Sequence, residues 1–260
     1  MTNSVHDETF SSEVSELQGI SAVVFDAVGT LIYPEPSIAA TYRCAILRHC
    51  GVDVDPGRVS AVIRDSLTAR STGEDLSTSE QAEHEFWAHL IRELCPGSEG
   101  FRACFDDLFD HFARSESWKC FSDVAELVGD LKRAGLKVAI ASNFDLRLHS
   151  VCEGLPQIAE IDCRIISSVA GWRKPAAEFF QAATRELGVS ARQTLMVGDD
   201  LINDVEGGTA AGMRAAWICR SSAVRKKTTL PEGVLQLSTL QQLPEFFNGS
   251  SSARVACEDS

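Results

Sequence analysis

Acidic side chains fall at two places where an apolar run gives way to a polar loop. Asp26 stands in FDAVGTL (25–31), and Asp199, Asp200 and Asp204 stand in MVGDDLINDVEGG (196–208). A carboxylate at the mouth of a buried strand loses hydration unless a cation or a donor compensates it. Grouped carboxylates repel one another, and an oxygen-only donor set suits Mg²⁺. Ser142, in AIASNFD (139–145), also closes an apolar run and is expected to open a helix. Its hydroxyl and the free N–H groups there form an anion site. Lys174, in GWRKPAAEFF (171–180), precedes Pro175, which can occupy the first position of a helix. A lysine fixed there can neutralise a carboxylate cluster or hold a phosphate. Each stretch alone has a plainer reading: a turn-capping Asp, a Ser N-cap, a surface Lys, a charged loop.

The elements that must position these residues form a pattern. Short apolar runs rich in β-branched residues cover 20–26, 137–142, 163–168, 194–198 and 214–219. They lack polar alternation, as strands buried on both faces of a parallel sheet do. Helical periodicity covers 122–134, 146–153, 176–187 and 203–212. Strand and helix in alternation predict an α/β fold with a doubly wound parallel sheet. Ligands of such sheets bind beyond the carboxyl ends of the strands, where the four stretches lie. From 36 to 117 there is no strand pattern, only amphipathic helices over 38–50, 56–71, 79–95 and 100–115. That length exceeds a simple crossover and predicts an inserted helical domain. The expected division is a core of 19–35 and 118–248, a helical cap of 36–117, and flexible tails at 1–18 and 249–260.

Taken together, DxxGTL, a strand-end Ser-Asn, Lys-Pro and GDDxxxD resemble the four-motif pattern of the haloacid dehalogenase-like (HAD) hydrolase superfamily, in particular its capped phosphatase branch. The resemblance runs from about Ile20 to Cys219 and includes the insertion after the first motif. It implies a Rossmann-like core and a Mg²⁺-dependent phosphatase acting on a small phosphorylated metabolite. It also implies residue roles. Asp26 would be the nucleophile that becomes an aspartyl-phosphate. Asp26, Asp199 and the carbonyl of Val28 would hold the metal. Asp200 or Asp204 would hold a metal-bound water or orient Lys174. Ser142 and the N–H of Asn143 would bind a phosphate oxygen, and Lys174 would stabilise the charge on Asp26 and the phosphoryl group.

One position departs from that pattern. Most phosphatases of the superfamily carry a second Asp two residues after the nucleophile, and here that position is Val28. Valine cannot move a proton, and general acid–base catalysis contributes about 10²–10⁴-fold. Three readings follow: a phosphatase restricted to good leaving groups or recruiting another acid such as Asp145 or a cap residue; a 2-haloacid dehalogenase, which needs no metal; or a binding protein on the same scaffold. The acidic fourth motif favours the first. Tyr42 and Arg43 on the first cap helix read as a core Tyr and a surface Arg, His84, His89 and His111 as helix-surface residues, and Phe86 and Trp87 as cap core.

Composition narrows the partners. Among the 260 residues, 24 Lys and Arg face 37 Asp and Glu, a formal charge of −13. That repels nucleic acid and anionic lipid, whose binding depends on cationic side chains. No run approaches the ~18 apolar residues of a membrane helix, and the first twenty residues carry neither the basic start nor the apolar stretch of a secretory signal. The nine cysteines are odd in number and form no CxxC pair, which predicts free thiols and a cytoplasmic protein. The sequence leaves oligomeric state open.

Overall fold

The central element is β1 (Ala22–Phe25), a tetrapeptide AVVF with every residue buried. In this computed structural model, which describes residues 17–161 and 163–248, its side chains alternate between two cores as strand geometry requires. Val23 and Phe25 face one core, Ala22 and Val24 the other. Full burial of one such Val or Phe side chain contributes about 1.5–3 kcal/mol, so burial on both faces fixes β1 at the middle of the sheet.

Around it lie β4 (Lys137–Ser142), β5 (Cys163–Ile166), β6 (Thr194–Gly198), β7 (Arg214–Ile218) and β8 (Val234–Leu237), in the order β5-β4-β1-β6-β7-β8. All pairings are parallel. The molecule is thus an α/β Rossmann-like fold, as its sequence predicts. Chain order leaves β1 to both sides, so the carboxyl ends of β1, β4 and β6 meet at the switch point where such folds bind ligands. A two-stranded antiparallel ribbon, β2 (Ile32–Pro34) with β3 (Trp118–Cys120), brackets the segment that departs from the sheet.

That segment holds four helices: α1 (Ile38–Cys50), α2 (Pro56–Thr72), α3 (Glu80–Leu94) and α4 (Phe101–His111). Their starts follow from local chemistry. Ser37, Asp55 and Ser79 each accept a backbone N–H at an N-cap, and Pro56 takes the first turn of α2. The sheet is flanked by α5 (Leu127–Arg133), α6 (Arg147–Glu153), the short α7 (Ser167–Ala170) and α8 (Ala177–Leu187).

Several boundaries differ from expectation. The helix expected over 122–134 is a 3₁₀ turn, Ser122–Val124, followed by α5. The strand expected to Ser168 ends at Ile166, and the helix expected to Ser115 ends at His111. In place of a helix over 203–212, a π-helical turn (Leu201–Glu206) leads into Gly207–Ala210. Of the expected tails, 1–16 and 249–260 lie outside the described residues, while Leu17 packs into the larger core. Among the described residues no helix is long and apolar enough to cross a membrane.

Candidate active site

Asp26 directly follows β1, and its N–H donates to the Val197 carbonyl of β6 at 2.9 Å. The turn after it folds tightly: Leu31 and Ile32 both donate to the Ala27 carbonyl, and Gly29 donates to Ile32. Gly29 takes φ +94°, and a Cβ there would lie 2.3 Å from Asp199 Oδ2. Glycine is thus required twice, by backbone conformation and by the approach of Asp199. Arg220 holds the outside of this turn, donating to the carbonyls of Gly29 (3.1 Å) and Thr30 (3.0 Å) while pairing with Asp123.

Lys174 is buried and connects the parts. Its ammonium donates to Asp26 Oδ1 at 2.6 Å, to Asp204 Oδ1 at 2.6 Å and to the Ala141 carbonyl at 2.9 Å. Burial works against its charge, but Asp204 and Asp26 outweigh burial and hold its pKa above the ordinary lysine value. Ser142, the last residue of β4, donates to the same Asp26 Oδ1 at 3.3 Å, leaving Oδ2 outside that grip. Asn143 brackets the lysine backbone: its Nδ2 donates to the Lys174 carbonyl (3.1 Å) and its Oδ1 accepts from the Lys174 N–H (2.8 Å).

Asp199 and Asp204 complete the acidic floor. Oxygens of Asp26, Asp199 and Asp204 lie within 4.8 Å of one another, the single such group among the described residues. Asp199 opens to the cleft, accepts from Thr30 Oγ1 at 3.2 Å and is anchored through its carbonyl by Trp217 Nε1 at 2.9 Å. Loss of hydration inside the cleft, then the charge of Asp26, push its carboxyl up to about 7. Asp204 is fully buried; burial pushes it up to about 7 while Lys174 opposes the shift. A Cβ on Gly198 would lie 2.0 Å from Asp204 Oδ2, so the last residue of β6 must also be small.

The structure brings six of the sequence-derived residues to one cleft of about 530 Å³: Asp26, Val28, Ser142, Lys174, Asp199 and Asp204. Asn143 and Asp200 line it too. Asp200 caps the π-helical turn, accepting from Ile202 and Asn203 at 2.9 Å each, and its N–H donates to Asp204. Ser142 does not open a helix, because α6 begins five residues later, after a loop. Pro175 does not start α8 either; the helix begins at Ala177, and the Lys174–Pro175 peptide is cis. Asp145 is no spare acid: both its oxygens accept from Arg147, at 2.8 and 2.7 Å. Tyr42 is buried, and Arg43 pairs with Asp53 at the surface. Trp87 packs against the larger core and also lines the cleft.

The upper wall of the cleft was not readable from spacing. Arg173, beside Lys174, donates from Nε to the Arg70 carbonyl (3.2 Å), from Nη1 to Ser77 (2.9 Å) and from Nη2 to Asp75 (2.6 Å). Backbone bonds reinforce this clasp: Arg173 N to the Leu76 carbonyl and Thr78 N to the Gly171 carbonyl, both 3.0 Å. Nearby, Arg70 forks onto buried Glu83 at 2.9 and 2.6 Å. The α2–α3 loop thus adds a short antiparallel bridge to the segment that carries the lysine.

At the switch point of a parallel sheet, a buried ammonium thus holds two carboxylates of an acidic triplet, an arrangement that suits a hydrolase. The family model of haloacid dehalogenase-like hydrolases matches residues 20–212, and the chain belongs to that family. It is 26% identical over 233 residues to haloacid dehalogenase-like hydrolase domain-containing protein 3 of Danio rerio, covering 85% of this chain and 94% of that one. It is 29% identical over 219 residues to phosphatase MT3486 of Mycobacterium tuberculosis, covering 79% and 90%. Among solved structures it resembles L-2-haloacid dehalogenase from Xanthobacter autotrophicus, with TM-score 0.66 and 21% identity over 88% of this chain and 99% of that one. Phosphatase and dehalogenase therefore share this fold, and the residues of the site must separate them.

Proposed function

We propose that the protein is a Mg²⁺-dependent phosphatase that works through an aspartyl-phosphate on a small phosphorylated metabolite. The observation that carries this reading is the acidic triplet of Asp26, Asp199 and Asp204 gathered within 4.8 Å around one lysine. The donor set is all oxygen, and its three carboxylates outnumber the one ammonium that pairs with them. It fits a hard divalent cation. Asp26, Asp199 and the Val28 carbonyl would hold Mg²⁺, which supplies charge neutralisation for carboxylates and phosphoryl oxygens when bound.

The remaining work belongs to the chain. Lys174 and Ser142 hold Asp26 Oδ1, orienting the carboxylate and offering positive charge beside the incoming group. Asp26 attacks phosphorus, the bond to the leaving oxygen breaks, and the leaving group departs. Water then attacks the aspartyl-phosphate and frees phosphate. Positioning and charge stabilisation dominate such transfers. Asp204 keeps Lys174 charged and in place, and Asp200 positions Asp204. Residues 36–117 act as the cap over a core of 19–35 and 118–248, shielding the cleft and selecting the leaving group. A small-molecule substrate, a cytoplasmic location, and no nucleic-acid or membrane partner go with this reading.

Val28 supports a second reading, a 2-haloacid dehalogenase, since attack on carbon needs no acid at that position. One experiment separates the two. Aryl and acyl phosphates and 2-haloacids are assayed with Mg²⁺ and with excess chelator. Phosphate release that chelation abolishes supports the phosphatase. Halide release that persists in chelator overturns it.

A further inference from the structure

The insertion holds a cluster of sulfur far from the catalytic carboxylates. Cys50 ends α1, with Gly51 in the left-handed conformation (φ +68°) turning the chain away. Cys95 caps the carboxyl end of α3. Their Sγ atoms lie 3.4 Å apart, the Cys50 thiol donating to Cys95 and the Cys95 thiol donating onward to the Ile91 carbonyl at 3.0 Å. Cys104, on α4, lies fully buried beside them. The three do not form a metal site: among the described residues, only Asp26, Asp199 and Asp204 gather ligand atoms closely enough. Accessibility separates their roles. Cys50 is half-buried, whereas Cys95 and Cys104 are sealed. Burial pushes the Cys95 thiol up to about 12, so Cys95 is protonated near neutral pH and is not the sulfur that meets an oxidant first.

We propose that Cys50 and Cys95 are a modification site: a reversible disulfide formed when Cys50 meets a hydroperoxide. The Cys50 sulfur attacks the outer peroxide oxygen, the O–O bond breaks, and the alcohol, or water from hydrogen peroxide, leaves with the thiol proton. Cys50 is then a sulfenic acid. The Cys95 sulfur attacks the Cys50 sulfur, the S–O bond breaks, and hydroxide leaves as water with the Cys95 proton. Two thiols are oxidised and one peroxide is reduced. The sulfurs must close from 3.4 Å to the bonded distance of about 2.05 Å, within reach of side-chain rotation. Cys44, exposed on the same helix, has no such thiol partner among the described residues.

The bridge would tie the end of α1 to the end of α3, and everything between them falls inside the closed loop. That loop contains α2 and the α2–α3 connection, which supply one wall of the cleft and the carbonyls that Arg173 grips. Oxidation therefore pins both ends of the segment that covers the site, whatever reaction the site performs.

The test uses the full chain, treated with hydrogen peroxide near neutral pH, alkylated, and digested with trypsin without reductant. The three cysteines fall in separate tryptic peptides, 49–58, 93–102 and 103–114. The expected product is 49–58 linked to 93–102, two hydrogens lighter than the sum and split by dithiothreitol. The thermal midpoint should rise by about 5–10 °C on oxidation, from closure of a loop of this length, and Cys50→Ser should lose both effects. The proposal is overturned if peroxide oxidises Cys44 while 49–58 and 93–102 stay unlinked, or if 49–58 links to 103–114 instead. It is also overturned if Cys50→Ser keeps the rise in midpoint.

Discussion

Val28 lines the cleft beside Asp26 and has no proton to give. A leaving alkoxide must then depart charged, and that barrier grows with its basicity. A nitrophenolate or an acyl carboxylate is stable unprotonated near neutral pH and loses little. Rates should therefore fall steeply from aryl and acyl phosphates to sugar and alkyl phosphates. Val28→Asp should flatten that series and speed alkyl phosphates by up to ~10²-fold, the low end of what a positioned acid supplies. A flat series in the unaltered protein, with chemistry rate-limiting, would mean that another residue already serves as the acid. Asp145 cannot fill that place while Arg147 holds both its oxygens. At Asp26 itself, Asp26→Asn keeps the shape and an acceptor for Lys174 but removes the nucleophilic charge. Turnover should fall below detection, with the thermal midpoint unchanged or raised, because one of three crowded carboxylates has lost its charge. Near-normal activity in Asp26→Asn would reduce Asp26 to a turn residue.

At the scale of elements, Arg173 joins the α2–α3 loop to the segment bearing Lys174. Its planar fork reaches three carbonyls at once, a geometry that lysine cannot copy. Removing charged hydrogen bonds of this kind costs about 2 kcal/mol, so Arg173→Ala should lower the thermal midpoint by about 4–8 °C. The amides of Thr78 and Arg173 should exchange faster with deuterium in that variant, and Arg173→Lys should fall between. Unchanged exchange at both amides would mean that the backbone bridge holds without the fork. This clasp shows where sequence reading stops. Strands β1, β4, β6 and β7 were readable because burial on both faces leaves unbroken apolar runs, α1 to α3 because capping residues and periodicity agree, and α4 by periodicity alone, its N-cap being Gly100. The ribbon of β2 and β3 has three residues per strand, too few for any period. The edge strand β8 shows only partial burial and no apolar run. In the site, Asp26, Ser142 and Asp199 were readable because each closes or directly follows a strand, and Lys174, Asp200 and Asp204 through the Lys-Pro and GDDxxxD patterns a few residues further on. Arg173 and Asn143 act through carbonyls and amides that sequence does not mark, and Arg220 meets the first motif from 190 residues away.

The whole molecule carries a formal charge of −13, and its acidic floor concentrates that imbalance where a cation would relieve it. Asp199 and Asp204, pushed up to about 7, bind protons more tightly in the folded protein than in the unfolded chain, where aspartates titrate near 3.8. Between those values the folded state holds extra protons, so stability of the cation-free protein should fall as pH rises from about 4 to about 7 and then level off. His111 runs the other way: burial holds its pKa below the ordinary 6.5, which adds stability as pH rises through that region. Asp107, held low by the His49 hydrogen bond, matters only at more acidic pH. The difference between the unaltered protein and Asp199→Asn therefore isolates the floor, and that difference should narrow below about pH 5. Mg²⁺ that binds only the folded state stabilises it by about 2.7 kcal/mol at a hundred times its Kd. Because cation and protons compete for the same oxygens, the rise in thermal midpoint with Mg²⁺ should be large at pH 8 and small at pH 5. It should be absent in Asp199→Asn at either pH. Thermal unfolding of both proteins, with and without Mg²⁺ at the two pH values, measures each part without any substrate. A rise equal at both pH values, or retained in Asp199→Asn, would place the cation elsewhere and remove the chief support for the phosphatase reading.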